Sequence, residues 1–113
     1  FLLQESDIVS IHLSMSEKNN NLINLDAFKK MKPSSILINT SRGNIINEED
    51  LLHALDNDII SGAGLDVFCE EPYFGPFKDC ENVILTPHIG SYAKEIRTKM
   101  EIESVKNIFE VLL

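Results

Sequence analysis

Apolar and polar positions along the chain follow two alternating patterns. Four short segments are mostly apolar and rich in β-branched residues, which is typical of strands buried in a sheet. They cover residues 7–13, 35–39, 59–67 and 83–86. Between and after them, apolar residues recur at helical spacing over residues 22–31, 47–55 and 91–113. The predicted order of elements is therefore β-α-β-α-β-loop-β-α, with no internal repeat.

Polar residues at the helix ends support these boundaries. Asn24 or Asp26 can cap the first helix, which Pro33 ends, and Asn47 can cap the second, whose acidic first turn suits the helix dipole. The loop over residues 69–82 is long for a compact domain, which indicates that it works at a site. The final helix is predicted to contribute its apolar residues to the core. These residues are Ile96, Met100, Val105, Ile108, Phe109 and Leu112.

Strands that alternate with helices imply right-handed crossovers and a parallel sheet covered by helices on both faces. The predicted fold class is α/β, a partial doubly wound parallel sheet with about four strands and three helices. It corresponds to about half of such a sheet, and its open edge would be free to pair with further strands. The phosphate-binding pattern Gly-x-Gly-x-x-Gly does not occur in the sequence.

Composition and charge narrow the class of partner. The 113 residues suit one domain, and 43% hydrophobic with 25% charged residues is ordinary for a globular one. With 10 basic and 18 acidic residues the net charge is −8, which disfavours nucleic acid and anionic membranes but allows a small anion beside one arginine. Cys69 and Cys80 form no Cys-x-x-Cys pair, so we expect reduced thiols, a cytoplasmic protein and no metal site.

Three charged residues each follow a predicted strand or its loop: Arg42, Glu71 and His88. Ligands of open α/β sheets bind at the carboxyl ends of the strands, so these side chains could clamp an anionic substrate and move a proton. Simpler interpretations exist for each, as a surface arginine, a solvated loop carboxylate and a strand-ending histidine. Glu70 competes with Glu71 for the same role.

Four stretches together resemble the nicotinamide-binding domain of the D-isomer-specific 2-hydroxyacid dehydrogenases. They are residues 5–13, 31–43, 64–72 and 82–90, in the order and spacing of that family. Within the family the resemblance is to the D-3-phosphoglycerate dehydrogenase-like members. The resemblance implies that residues 1–113 form a single, partial NAD-binding domain of Rossmann type, corresponding to the second half of its sheet.

The resemblance further implies hydride transfer between NAD and the C2 carbon of a 2-hydroxy acid. Arg42 would bind the substrate carboxylate and the C2 oxygen, because its guanidinium is always charged and forms paired hydrogen bonds. His88 would accept the hydroxyl proton during oxidation and return it during reduction, since imidazole titrates near neutral pH. Glu71 would bond the other ring nitrogen of His88 and so fix its tautomer.

Further residues would contact the coenzyme in this family. Asp66 would touch the nicotinamide carboxamide, although it could instead cap the following turn. His12 is given at most a backbone contact with the coenzyme, and His53 is predicted to face solvent. The backbone around four residues would line the nicotinamide ribose and ring, next to Arg42 and His88. These residues are Thr40, Ser41, Gly90 and Ser91.

The sequence departs from the family pattern in several places. Ser14 stands where the family usually has proline, and the glycine-rich loop, the acidic residue for the adenosine ribose and the substrate domain are absent. The chain begins with Phe1, and the apolar segment over residues 1–3 is too short to be a signal peptide. No apolar segment is long enough to be a transmembrane helix. We therefore expect a fragment or an excised domain that does not hold NAD well alone.

The expected partners are a small anionic 2-hydroxy or 2-oxo acid and, in the intact protein, a second copy forming a homodimer. Two alternatives stay open at this point. One is a corepressor-like module that senses NAD, and the other is a fragment without activity when isolated. The sequence leaves open which 2-hydroxy acid is the substrate and whether the coenzyme is NAD or NADP.

Overall fold

Four parallel strands form one sheet in the computed structural model, which describes residues 1–112. The strands pair in chain order, β1-β2-β3-β4, and every pairing is parallel. The strands are β1 (Ile8–Ile11), β2 (Ile36–Asn39), β3 (Gly62–Leu65) and β4 (Val83–Leu85). The predicted α/β class with four strands is confirmed, and all four carboxyl ends lie at one edge of the sheet. No helix within residues 1–112 is long and apolar enough to span a membrane.

Four α-helices accompany the sheet, one more than predicted. They are α1 (Leu2–Glu5), α2 (Leu25–Phe28), α3 (Glu48–Asp56) and α4 (Lys94–Leu112), with short 3-10 turns at Glu17–Asn19, Gly43–Ile45 and Pro76–Asp79. The predicted helix over residues 22–31 is too long, because Ile23 is extended and pairs with Ile46 in an isolated parallel bridge. The final helix begins at Lys94 rather than at residue 91, and Leu113 lies outside the described residues.

Side-chain caps define the starts of α2 and α3. The Asn24 carbonyl Oδ1 accepts a hydrogen bond from the Ala27 amide at 3.2 Å, and Asn47 Oδ1 accepts one from the Asp50 amide at 3.0 Å. Asp50 Oδ2 also accepts a bond from the Leu25 amide at 2.9 Å. This last contact ties the start of α2 to α3, so both helices keep their places over the sheet.

The hydrophobic core lies between one face of the sheet and these two helices. Phe28 of α2 and Leu51 of α3 are completely buried, and they belong to the same cluster as Leu37 in the middle of β2. Leu37 and its neighbours alternate with exposed residues along the strands, so only one face is buried.

Within residues 1–112 helices cover only one face of the sheet, so the predicted cover on both faces is not found there. On the opposite face Ile8 is 61% exposed and Ile84 is 74% exposed. The physical reason is the direction of the crossovers. The chain steps across the sheet in one direction with crossovers of one hand, so α2 and α3 fall on the same side.

The prediction that α4 contributes to the core is wrong. All of its described residues are exposed, including Met100 at 46% and Phe109 at 59%. Helical spacing of apolar residues predicts a helix with an apolar stripe, but it contains no information about what that stripe packs against.

Candidate active site

The carboxyl edge of the sheet collects most of the predicted site residues. His12 follows β1, Arg42 follows β2, Asp66 directly follows β3 and His88 follows β4. Glu71 is delivered to the same edge by the loop that leaves β3. The topology therefore brings together side chains that are up to 76 positions apart in the sequence, counting from His12 to His88 (88 − 12).

Glu71 and His88 are in direct contact. Glu71 Oε2 lies 2.8 Å from His88 Nδ1, and Glu71 Oε1 accepts a hydrogen bond from the Phe68 amide at 3.1 Å. Glu71, rather than Glu70, makes this contact. The bond to His88 lowers the pKa of Glu71 despite its partial desolvation, so the group is a carboxylate at neutral pH. A carboxylate only accepts hydrogen bonds, and Nδ1 therefore carries the hydrogen.

The backbone at His88 adopts a conformation that is uncommon for a residue with a side chain. Its φ angle is 56°, in the left-handed region, and its amide donates to the Thr86 carbonyl at 3.0 Å. This region costs an L-residue about 1–2 kcal/mol relative to the right-handed helical conformation. Because such strain persists only when neighbouring contacts hold it, the contacts around this turn determine where the imidazole lies.

Asp66 supplies those contacts. Its Oδ1 accepts hydrogen bonds from Thr86 Oγ1 at 2.6 Å and from the Ile89 amide at 2.9 Å, and its Oδ2 accepts one from the Gly90 amide at 3.0 Å. Burial by itself would raise the pKa of Asp66, but these three bonds outweigh it and the pKa is lowered. Asp66 is only 6% exposed, so both oxygens are committed within the protein. The contact with a nicotinamide carboxamide stays a prediction.

Asn39 organises the turn that carries Arg42, and sequence reasoning gave it no role. It is completely buried, accepts hydrogen bonds on Oδ1 from the Ser41 amide at 3.0 Å and from Ser41 Oγ at 2.9 Å, and donates from Nδ2 to the Arg42 carbonyl at 2.9 Å. An asparagine that ends a strand just before a turn is the available indication, because its side chain bonds to backbone groups two or three residues on.

Gly43 brings this turn against the segment that leads to Glu71. A Cβ atom at Gly43 would overlap the carbonyl of Phe68, so only glycine allows the two backbones to approach. The Arg42 side chain is exposed, and its Nη1 donates to the Ser41 carbonyl at 2.6 Å.

Two recesses open along this edge, and the predicted residues divide between them. A cleft of about 790 Å³ is lined by Glu71, His88 and Ser91 together with several aromatic residues. A separate recess of about 500 Å³ is lined by His12, Ser41 and Arg42. Each recess holds part of the predicted catalytic set.

Thr40, Gly90 and His53 are not among the residues that line these two recesses. Thr40 is exposed directly after β2, and Gly90 is exposed beside its bond to Asp66. His12 Nε2 lies 2.9 Å from Ser10 Oγ. His53 is exposed on α3, as predicted, and its ring contacts Asn57.

The residues present fit the nicotinamide end of NAD. Serine hydroxyls and exposed turns at the ends of parallel strands offer donors and acceptors to a ribose and a carboxamide. Among the described residues the Nε2 atom of His88 has no hydrogen-bond partner, which leaves it available to a bound molecule. The sequence contains no glycine-rich loop that would bind the pyrophosphate of NAD.

Comparison with known proteins gives the family. Residues 1–90 match the profile of the D-isomer specific 2-hydroxyacid dehydrogenase, NAD binding domain. The chain is 46% identical over 109 residues to a glyoxylate reductase from Thermococcus litoralis, covering 95% of this chain and 33% of that protein. It is 40% identical over 113 residues to a D-3-phosphoglycerate dehydrogenase from Synechocystis, covering 99% of this chain and 20% of that protein.

A solved structure agrees with both relatives. The NAD complex of a D-isomer specific 2-hydroxyacid dehydrogenase from Lactobacillus delbrueckii superposes with a TM-score of 0.84 at 32% identity, covering 97% of this chain and 38% of that one. The chain spans about a third or less of the curated relatives named above. The predicted fold class, family and coenzyme are confirmed. This chain belongs to the D-isomer-specific 2-hydroxyacid dehydrogenase family, and the part of the family that it matches is the NAD-binding domain.

Proposed function

We propose that the natural protein carrying this chain is an oxidoreductase that transfers a hydride between NAD and the C2 carbon of a D-2-hydroxy acid. The contact between Glu71 and His88 carries the proposal, because it orients an imidazole whose Nε2 is available at the edge where coenzymes bind. The named relatives, a glyoxylate reductase and a D-3-phosphoglycerate dehydrogenase, support a small 2-oxo or 2-hydroxy acid as substrate.

When bound, NAD would supply the hydride acceptor for oxidation at C2 and the hydride donor for reduction, with its nicotinamide end held by residues at the carboxyl edge of the sheet. His88 Nε2 takes the proton of the C2 hydroxyl group at the same time. Glu71 holds the ring through Nδ1 and stabilises the imidazolium that forms, because a carboxylate favours a neighbouring cation. Arg42 holds the substrate carboxylate and the C2 oxygen from the neighbouring recess.

We also propose a cellular location, a class of partner and an assembly for the intact protein. Cys69 and Cys80 are free thiols, which supports a cytoplasmic protein. A net charge of −8 supports a partner that is neither nucleic acid nor an anionic membrane. A homodimer of the intact protein is also proposed, on the family resemblance alone.

Replacement of His88 tests the assignment of the proton carrier. In the full-length natural protein we expect His88→Gln to lower kcat by about 10²- to 10⁴-fold, which is the usual contribution of a general acid or base. Steady-state oxidation of 2-hydroxy acids, followed through NADH absorbance, measures the effect. His53→Gln is the matched control, since that histidine is exposed on α3 and lines neither recess. Turnover close to wild type in His88→Gln would contradict the assignment.

Replacement of Arg42 separates substrate binding from proton transfer. We expect Arg42→Ala to lower kcat/KM by about 10- to 100-fold, because a charge-assisted hydrogen bond contributes about 1.5–3 kcal/mol. Circular dichroism should show that the variant stays folded, as the side chain is exposed.

If the wild-type protein bound NADH but oxidised no 2-hydroxy acid, an NAD-sensing module would be the better interpretation.

A further inference from the structure

The larger cleft extends beyond the Glu71–His88 pair along a wall of aromatic side chains. These are Phe68, Tyr73, Phe74 and Tyr92. Its volume of about 790 Å³ falls within the range of about 300–1,000 Å³ that is usual for pockets holding drug-sized ligands. A carboxylate and one reacting carbon fill little of such a space. The remaining volume is therefore available to a substituent of the substrate.

The inner part of this wall is rigid. The rings of Phe68 and Tyr73 stack with centroids 4.3 Å apart, and those of Tyr73 and Phe77 stack at 5.6 Å, both with an interplanar angle of 20°. Phe77 is 1% exposed, and its amide donates a hydrogen bond to the Tyr73 hydroxyl at 3.2 Å. A wall that is already ordered loses little conformational entropy when a ligand binds.

The outer part of the wall exposes aromatic surface. Phe74 is 78% exposed and Tyr92 is 70% exposed. Contact with an apolar group would remove this surface from water, which is favourable.

Two charged groups line the cleft besides His88. The Glu71 carboxylate is bonded to His88, and the Lys78 ammonium lies 5.3 Å from the centroid of the Phe74 ring, a contact that leaves its charge exposed to solvent. Apart from these groups the lining of the cleft is mainly apolar and aromatic.

We propose that this aromatic cleft binds the side chain at C3 of the substrate, and that the preferred substrates are 2-oxo and 2-hydroxy acids with an aromatic or bulky apolar side chain. The inference rests on the proposed function, which assigns the reacting carbon to His88. His88 lines the cleft together with these aromatic residues, so a substrate whose C2 oxygen is held at His88 has the aromatic wall within reach of its other substituents.

The test compares two substrates in the full-length natural protein. We expect kcat/KM for NADH-dependent reduction to be about 10- to 100-fold higher for phenylpyruvate than for glyoxylate, the gain typical of burying one large apolar side chain. Phe74→Ala and Tyr92→Ala should each lower this ratio about 3- to 10-fold, the usual value of one aromatic contact. Tyr92→Phe keeps the ring and should retain the high ratio. Phe109→Ala removes an exposed aromatic ring of α4 and should leave the ratio unchanged.

Three results would overturn the inference. A ratio that favours glyoxylate and is insensitive to both alanine variants would leave the proposed function intact while showing that the cleft does not hold the side chain. A preference for a 2-oxo acid with a second acidic group, lost in Lys78→Met, would assign the cleft to anionic side chains. Failure to reduce any 2-oxo acid would remove the proposed function as well. Phe74 and Tyr92 are exposed, so their replacement is not expected to unfold the protein.

Discussion

The carboxylate of Asp66 accepts hydrogen bonds from residues on both sides of His88, and it determines how the imidazole is presented. The side chain of Thr86 and the amides of Ile89 and Gly90 all bond to it. Because φ of His88 is 56°, the turn would relax without these bonds. Asp66 is therefore a positioning residue for His88, whether or not it also contacts the coenzyme.

The stability of this turn is expected to depend on pH through Asp66. Its pKa is lowered on folding, so its contribution is fully present above the unfolded pKa of about 4 and is lost as the pH falls through the folded value. Asp66→Asn should lower the free energy of unfolding at pH 7 by about 2–4 kcal/mol, because bonds to a buried charge are lost. Denaturant unfolding of the full-length protein at pH 7 and pH 3 should show this difference shrinking at the lower pH.

Asp79→Asn is the matched control for Asp66→Asn, since Asp79 is exposed and its side chain has no hydrogen bond among the described residues. An equal loss of stability in both variants, or a difference that grows toward pH 3, would contradict the role assigned to Asp66. NADH affinity adds a second measurement. A positioning role predicts lower kcat with little change in coenzyme binding, whereas a direct carboxamide contact predicts weaker binding.

The element that links the core to the site is α3. Its first turn is capped by Asn47, and Glu48 Oε1 at its start accepts a hydrogen bond from the Cys69 amide at 2.7 Å. Cys69 lies in the loop that continues to Glu71, so the start of the helix holds the loop as well. Burial and the neighbouring Glu48 raise the pKa of the Cys69 thiol to about 11, so it stays protonated at neutral pH.

Removal of the α3 cap should destabilise the protein modestly. Asn47→Ala leaves the Asp50 amide without its partner and should lower the free energy of unfolding by about 1 kcal/mol. Chemical denaturation of the full-length protein measures the change. Asn20→Ala is a suitable control because Asn20 is exposed and its side chain makes no hydrogen bond within residues 1–112. A loss as large in Asn20→Ala as in Asn47→Ala would contradict the assignment of the cap.

At the scale of the molecule, apolar surface is distributed unevenly. One sheet face is packed by α2 and α3, while Ile8, Ile36 and Ile84 are exposed on the other. The described residues of α4 are all exposed and carry a further set of apolar side chains. The site lies at the carboxyl edge of the sheet, where it depends on loops held by Asn39 and Asp66.

The 113-residue chain by itself is expected to bind NADH weakly. Its sequence has no glycine-rich loop for the pyrophosphate, so we expect contacts only with the nicotinamide end of the coenzyme. Titration followed by nicotinamide fluorescence should show no saturation at micromolar NADH. The full-length natural protein is the control and should saturate. Micromolar affinity of the isolated chain would contradict this expectation.

The sequence determined the alternation of strands and helices, the cap at Asn47, and the motifs around Arg42, Glu71 and His88, because short-range periodicity and side-chain chemistry are local properties. It left the cap of α2 open between Asn24 and Asp26, and the structure assigns it to Asn24. Only the tertiary structure decided that Asn39 organises the turn that carries Arg42, that Asp66 holds the turn on both sides of His88, and that the described residues of α4 and one sheet face are exposed. These outcomes depend on the paths of loops and on the side of the sheet to which each crossover returns. Contacts between residues 24 positions apart, as for Asp66 and Gly90, leave no periodic trace in the sequence.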